Sequence, residues 1–125
     1  MAVLVIVERA HRGAVEQRYA HVLWLMEALH QQHPTAVLLR GHAAGYAVDA
    51  PPPAPLRLGS GEVEHLPDYR DTMERLRAAG VRLLVSSSSL EVLEVAGRPL
   101  VKGVEPVDDE GIVAICGYYD RIWYL

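Results

Sequence analysis

Four consecutive serines are the most unusual local feature of the sequence: Ser86, Ser87, Ser88 and Ser89. They follow the apolar segment 81–85, and the pattern of residues 90–95 predicts a short helix after them. Backbone N–H groups at a helix start, joined by hydroxyl donors, can bind a phosphate, a sulfate or a thiolate. The run therefore predicts an anion site. The plainer interpretation is that Ser88 caps the helix in a capping box with Glu91, and that the other serines are turn residues.

Arginine and histidine side chains follow two further apolar segments, 2–7 and 35–39, in the first third of the chain. His11 and Arg12 come after the first segment, and Arg40 and His42 come after the second. Ligands of open parallel α/β sheets bind at the carboxyl ends of the strands, so we expect these groups to converge with the serines. Either histidine could then act as an acid or a base on an anionic substrate. A histidine in solvent is the plainer interpretation of each.

Cys116 is the only cysteine, so neither an internal disulfide nor a C-x-x-C zinc or redox motif is possible. It falls in the last predicted helix, on an apolar stripe with Ile112, Ile115 and Tyr119. A nucleophilic cysteine needs a helix N-terminus or a cationic neighbour. This pattern is therefore typical of an inert core cysteine, and a reactive thiol at a subunit interface is the alternative.

Composition and missing motifs exclude several classes of function. The chain has 125 residues, a net charge of −4 and one lysine, which disfavours a basic nucleic-acid surface. No apolar run is long enough for a membrane span, and residues 1–7 lack the basic start of a signal peptide. The sequence also lacks G-x-G-x-x-G, P-loop, G-x-S-x-G and H-E-x-x-H patterns. We therefore expect a cytoplasmic protein of one domain, with no metal and no cofactor.

Strand and helix patterns alternate along the chain, and the elements that they predict must position these groups. Residues 2–7 form a continuous apolar run, which indicates a strand buried on both faces of a parallel sheet. Helical periodicity follows over 15–32, and two later helices are expected to begin at Asp68 and at Asp108 or Asp109. The other predicted strands are 35–39, 81–85, a weak one at 100–104, and 121–125. This order predicts a three-layer α/β/α sandwich around a mainly parallel sheet of about five strands.

Residues 41–66 interrupt this rhythm. The segment is rich in glycine and proline, and its composition predicts neither helix nor strand. A connection of this length is unusual in a compact domain, where about 2–6 residues is common. A lid, a binding loop, a subunit contact or a disordered insertion are the interpretations that remain open.

The layout of the elements resembles the DsrE/DsrF-like family, which includes small sulfur-relay proteins. The resemblance covers nearly the whole chain and includes the A-A-G-V-x-L-L-V pattern at 78–85 and the glycine-bearing loop at 41–46. The closing pattern is also similar: Gly103-Val104, a helix, Asp120 and a short strand. The match is one of layout, because each of these motifs is common.

The resemblance implies a sulfur-carrying cysteine directly after the third strand, where this sequence has Ser86 and, less securely, Ser89. A hydroxyl cannot hold a persulfide, so the family's sulfur transfer cannot occur there. The first hypothesis is a DsrE-like non-catalytic subunit, or a module that binds a small anion or a partner protein of a sulfur relay. The resemblance also implies a homo-trimer or homo-hexamer, for which Trp123 and Tyr124 offer a contact surface. The alternatives are a sulfurtransferase that uses Cys116 and a small α/β enzyme that binds an anionic substrate at the 86–89 loop.

Overall fold

The structure is a computed structural model that describes residues 1–8, 20–49, 56–63 and 69–125. Within these residues, five strands form one sheet and two short strands form a separate hairpin. The elements in chain order are β1 (Val3–Val7), α1 (Ala20–His30), β2 (Thr35–Leu39), a 3-10 helix (Gly41–Ala47), β3 (Leu56–Leu58), β4 (Gly61–Val63), α2 (Tyr69–Ala78), β5 (Arg82–Ser86), α3 (Ser87–Val92), β6 (Val104–Val107), α4 (Asp109–Cys116) and β7 (Arg121–Tyr124).

The five-stranded sheet has the order β6-β5-β2-β1-β7, and each neighbouring pair is parallel. Every residue of β1 and β2 is buried. This double-sided burial explains why both segments are continuous apolar runs instead of alternating patterns. The predicted α/β fold with a parallel sheet of five strands is confirmed.

Helices pack on both faces of the sheet, because successive side chains of a strand point to opposite sides. One face packs against α1, α2, α3 and the 3-10 helix. The other face packs against α4, whose inward side chains are only half-buried. The first core includes Val5, Val37, Leu83, Met26, Met73 and Leu76. The second core, which we call the α4-side core, includes Leu4, Ile6, Leu38 and Leu84, with Ile112, Ile115, Cys116 and Tyr119 against it.

The prediction that 41–66 contains neither helix nor strand is wrong in the described part of that segment. Residues Gly41–Ala47 form a 3-10 helix whose small side chains are buried in the first core. Gly41 makes this possible with a φ of +56°, and a Cβ at this position would lie 3.2 Å from the carbonyl oxygen of Glu8. Gly59, with a φ of +63°, turns the hairpin between β3 and β4. Residues 50–55 and 64–66 lie outside the described residues.

Two further predictions are wrong in position. The α3 helix begins at Ser87 instead of residue 90, and its cap is Ser86 instead of Ser88. The fourth strand lies at Val104–Val107 instead of 100–104, since Leu100 makes only an isolated bridge to Val48. Of the two predicted aspartate caps, Asp108 accepts the N–H of Gly111 as expected. Asp68 lies outside the described residues. The helix predicted over 15–32 is α1 in its described part.

Candidate functional site

Four strands place one polar residue each along the carboxyl edge of the sheet, on the α4 side. Side chains two positions apart on a strand share a face, so Glu8 follows Ile6, Arg40 follows Leu38 and Ser86 follows Leu84. Tyr124 lies opposite Ile6 in the register of β7 with β1. The strand order therefore gives a row that runs from the serine turn through Arg40 and Glu8 to Tyr124.

Glu8, Arg40 and Tyr124 form one hydrogen-bonded cluster. Oε1 of Glu8 accepts the Tyr124 hydroxyl and also accepts Nη1 of Arg40 at 3.1 Å. Nη1 of Arg40 lies 3.2 Å from the Tyr124 oxygen as well. The hydrogen bond to Glu8 raises the pKa of Tyr124, because loss of the phenolic proton would place two negative charges side by side. The phenol therefore keeps its proton at neutral pH and donates it to Glu8.

The serine turn is held by its own hydroxyl groups. Ser86 is fully buried, and its Oγ accepts the backbone N–H of Ser89 at 3.2 Å. The Ser86 and Ser88 hydroxyl oxygens lie 3.1 Å apart, and Ser88 donates to Oδ1 of Asp109 at 3.0 Å. Ser89 in turn accepts the N–H of Gly41 at 3.0 Å. These bonds join β5 and α3 to the start of α4 and to the 3-10 helix.

A cavity of about 500 Å³ opens at this edge of the sheet. This volume is within the range of small-molecule sites, about 300–1,000 Å³. Its polar wall carries both charges of the Glu8–Arg40 pair, and α3 supplies an apolar wall through Val92 and Leu93. Val92 is 82% exposed, so its side chain is accessible to a ligand. The lining residues are Glu8, Arg40, Gly41, His42, Ser88, Ser89, Val92 and Leu93.

Three of the predicted ligand residues line this cavity, namely His42, Ser88 and Ser89. Ser86 is buried behind them as the helix cap, and Ser87 is half-buried on α3 outside the lining. His11 and Arg12 lie outside the described residues. The predicted convergence of His42 with the serines is therefore what the structure has.

The sequence interpretation missed Glu8 and considered Tyr124 only as an oligomer contact, while Arg40 was expected at this edge without a chemical role. A signal for two of them was present, because the positions that follow a buried apolar run keep its alternation for one or two residues. Glu8 and Arg40 are the first charged or polar residues after β1 and β2. The contribution of Tyr124 depends on β7 pairing with β1, which no local pattern predicts.

Cys116 does not line the cavity. It is the last residue of α4, and it packs half-buried against the α4-side core. The first residue of the same helix, Asp109, contacts Ser88 at the cavity rim. Seven residues of helix place the thiol about 10 Å further along the axis, toward the amino ends of the strands. The C-terminal end of a helix also carries partial negative charge, which does not favour a thiolate.

Two further findings concern the described part of the chain only. No three His, Cys, Asp or Glu side chains within it are arranged to hold a metal ion. None of its helices has both the length and the apolar character needed to cross a membrane.

No family model and no curated protein matches this sequence. Among solved structures, the ychN protein from E. coli is similar over 100% of this chain and 100% of that chain, with a TM-score of 0.73 and 19% sequence identity. Its fold is DsrE-like. The likeness shows the fold of this chain, which is a DsrE-like α/β fold with a five-stranded parallel sheet.

Proposed function

We propose that this protein is a non-catalytic DsrE-like subunit related to sulfur relay, which binds a small charged ligand in the cavity at the carboxyl edge of its sheet. The proposal depends on the resemblance of the sequence layout to the family, together with the DsrE-like fold. It places the protein in the cytoplasm as a homo-oligomer with a possible partner protein of the relay.

The buried Ser86 is the observation that carries the non-catalytic role. The family's sulfur carrier is expected directly after the third strand of the sequence, where Ser86 ends β5. Its hydroxyl is inaccessible to solvent and is committed to the N–H of Ser89 as the helix cap. This residue has neither the thiol nor the access that a persulfide carrier needs. The position serves the local structure instead.

The cavity supports retention of binding after loss of the sulfur carrier. Side chains and backbone from β1, β2, the 3-10 helix and α3 converge around it, and they include both charged and apolar groups. Small-molecule sites combine an apolar lining with a few fixed polar groups in this way. A ligand or a segment of a partner protein could occupy this space without any bond being made or broken.

The two edges of the sheet differ in a way that supports an oligomer. The β6 edge carries Pro106 and the charged Glu105, which both discourage further strand pairing. The β7 edge has no such protection in its Ile122-Trp123-Tyr124 segment, whose side chains are 44%, 40% and 57% exposed. An unprotected edge with strong strand formers is suited to association with another copy of the chain.

The test is sulfur uptake. The native protein is incubated with a polysulfide or with a persulfidated donor protein, and intact-mass spectrometry measures addition of one sulfur atom, before and after a thiol acceptor is supplied. We expect no sulfur that can be transferred to the acceptor. Transferable sulfur that is lost in Cys116→Ala would overturn the non-catalytic role and favour Cys116 as a sulfurtransferase residue.

A further inference from the structure

Contacts among the described residues use only part of the hydrogen-bonding capacity of the Glu8–Arg40 pair at the cavity. Tyr124 and Arg40 both donate to Oε1 of Glu8, and Arg40 uses Nη1 for both of its contacts. Oε2 of Glu8 and the Nη2 and Nε groups of Arg40 have no partner among the described residues. Within the described residues, the 3.1 Å ion pair therefore leaves one carboxylate oxygen and several guanidinium N–H groups without a partner at the wall of the cavity.

Two more side chains at the cavity have hydrogen-bonding groups that no described residue pairs with. Ser89 is 8% exposed and accepts the Gly41 N–H, but its own hydroxyl hydrogen has no acceptor within the described part of the chain. A hydroxyl that is buried and lines a cavity normally finds a partner, so a missing one points to a ligand. The imidazole of His42 is likewise without a partner among the residues that the structure describes.

An inorganic oxyanion does not fit this arrangement. The start of α3 already faces the carboxylate of Asp109, which accepts the Ser88 hydroxyl at 3.0 Å. The N–H of Ser89 is used by the cap at Ser86. A phosphate or sulfate would also meet Glu8, and it would leave the apolar wall of Val92 without a contact. The charges at the cavity balance, so they favour a ligand that is itself neutral overall and carries both signs.

We infer that the cavity binds a free α-amino acid with a short aliphatic side chain. Its ammonium group would donate to Oε2 of Glu8, while its carboxylate accepts from the free N–H groups of Arg40 and from the Ser89 hydroxyl. The two groups of an α-amino acid are joined through a single carbon, which matches the adjacent charges of this ion pair. The aliphatic side chain would cover Val92 and Leu93. This inference depends on the proposed function only in taking the cavity as a ligand site.

The experiment is a titration of the native protein by calorimetry and by ¹⁵N-resolved NMR. L-leucine is compared with isocaproate, which is leucine without the ammonium group, and with isoamylamine, which is leucine without the carboxylate. Each missing charge leaves one partner unpaired, so we expect each probe to bind at least about tenfold more weakly than L-leucine. Equal affinities of the three probes, or no saturable binding of L-leucine, would contradict the inference.

Variants of the exposed charges locate the site. In Glu8→Gln we expect the advantage of L-leucine over isocaproate to disappear, and in Arg40→Gln its advantage over isoamylamine to disappear. Val92→Asp should weaken the binding of L-leucine, although the charged groups of Glu8 and Arg40 remain. Val113→Asp, on the exposed side of α4, is the matched control. Thermal unfolding of each variant checks that it folds.

The outcomes separate the two proposals. If isocaproate or inorganic phosphate binds as well as L-leucine, the amino-acid inference fails while a non-catalytic binding subunit stands. If L-leucine binds and Cys116 still passes sulfur to an acceptor, the proposed function fails while the ligand class stands. Full retention of L-leucine binding in Glu8→Gln and Arg40→Gln would place the ligand elsewhere and overturn the inference.

Discussion

The Oγ atom of Ser86 accepts the backbone N–H of Ser89 at 3.2 Å in a fully buried setting. Ser86 is therefore both the last residue of β5 and the N-cap of α3. Substitution of Ser86 can measure how much this cap hydrogen bond contributes to stability. The bond also distinguishes Ser86 from the other three serines.

Ser86→Ala should lower the free energy of unfolding by about 1–2 kcal/mol, because the substitution leaves the Ser89 N–H unpaired at the helix start. Chemical denaturation followed by circular dichroism measures this change. Ser87→Ala is the matched control, since Ser87 is the first residue of the helix rather than its cap, and we expect a change within about 0.5 kcal/mol. Equal effects of the two substitutions would show that the cap contributes no particular stability.

Tyr124 should titrate above its ordinary pKa, because its phenol donates to the carboxylate of Glu8. A folded-state pKa that is raised stabilises the native protein below the unfolded pKa of about 10, and this contribution is lost as the pH rises through the folded value. NMR of ¹³C-labelled tyrosine rings follows the titration directly. In Glu8→Gln the pKa of Tyr124 should fall toward its ordinary value, and no change in that variant would assign the shift to another cause.

Ile122→Lys should reduce the oligomeric state if the β7 edge is a contact between copies. A lysine there would place a charge at the edge, which disfavours strand pairing. Light scattering coupled to size-exclusion chromatography gives the mass of the native protein and of the variant. Pro106→Lys, at an exposed position of the opposite edge, is the control and should leave the mass unchanged. A native protein that is monomeric, or an Ile122→Lys variant with unchanged mass, argues against this interface.

Gly103→Ala should destabilise the fold by about 1–3 kcal/mol. Gly103 has a φ of +90°, and a Cβ there would lie 2.2 Å from Cδ of Arg77, so that side chain would have to move. Gly45 offers a control in the 3-10 helix, where a Cβ would meet no atom within 4 Å. We expect Gly45→Ala to be neutral or slightly stabilising in the same denaturation experiment.

The sequence predicted the central strands well because their residues are buried on both faces. The segment 35–39 matches β2 at both ends, because Pro34 precedes it and the charged Arg40 follows it. The position of the α3 cap was not predictable from residue type, because four neighbouring serines are chemically equivalent. The length of β5 decides it, and that length depends on pairing with β2 and β6.

The candidate site was predictable in part. The placement of His42, Ser88 and Ser89 at one edge follows from parallel strands alone. The helical structure of 41–47 was hidden by its glycines, although its alanines are small enough to be buried under the neighbouring strands. Partners that come from distant parts of the chain, such as Glu8 and Tyr124, need the strand order before they can be assigned.

The pairing of β1 with β7 determines which strand of the sheet should open first in local unfolding. Glu8 and Tyr124 are 116 positions apart in the sequence, and β7 is a four-residue edge strand whose backbone pairs only with β1 among the described strands. Closing so large a loop costs entropy, and short edge elements open before the core does. We expect β7 to exchange its amide hydrogens faster than β1 or β2. Each such opening would release Glu8 from its tyrosine, so local fraying of the edge would change the polar wall of the cavity while the rest of the sheet stays folded.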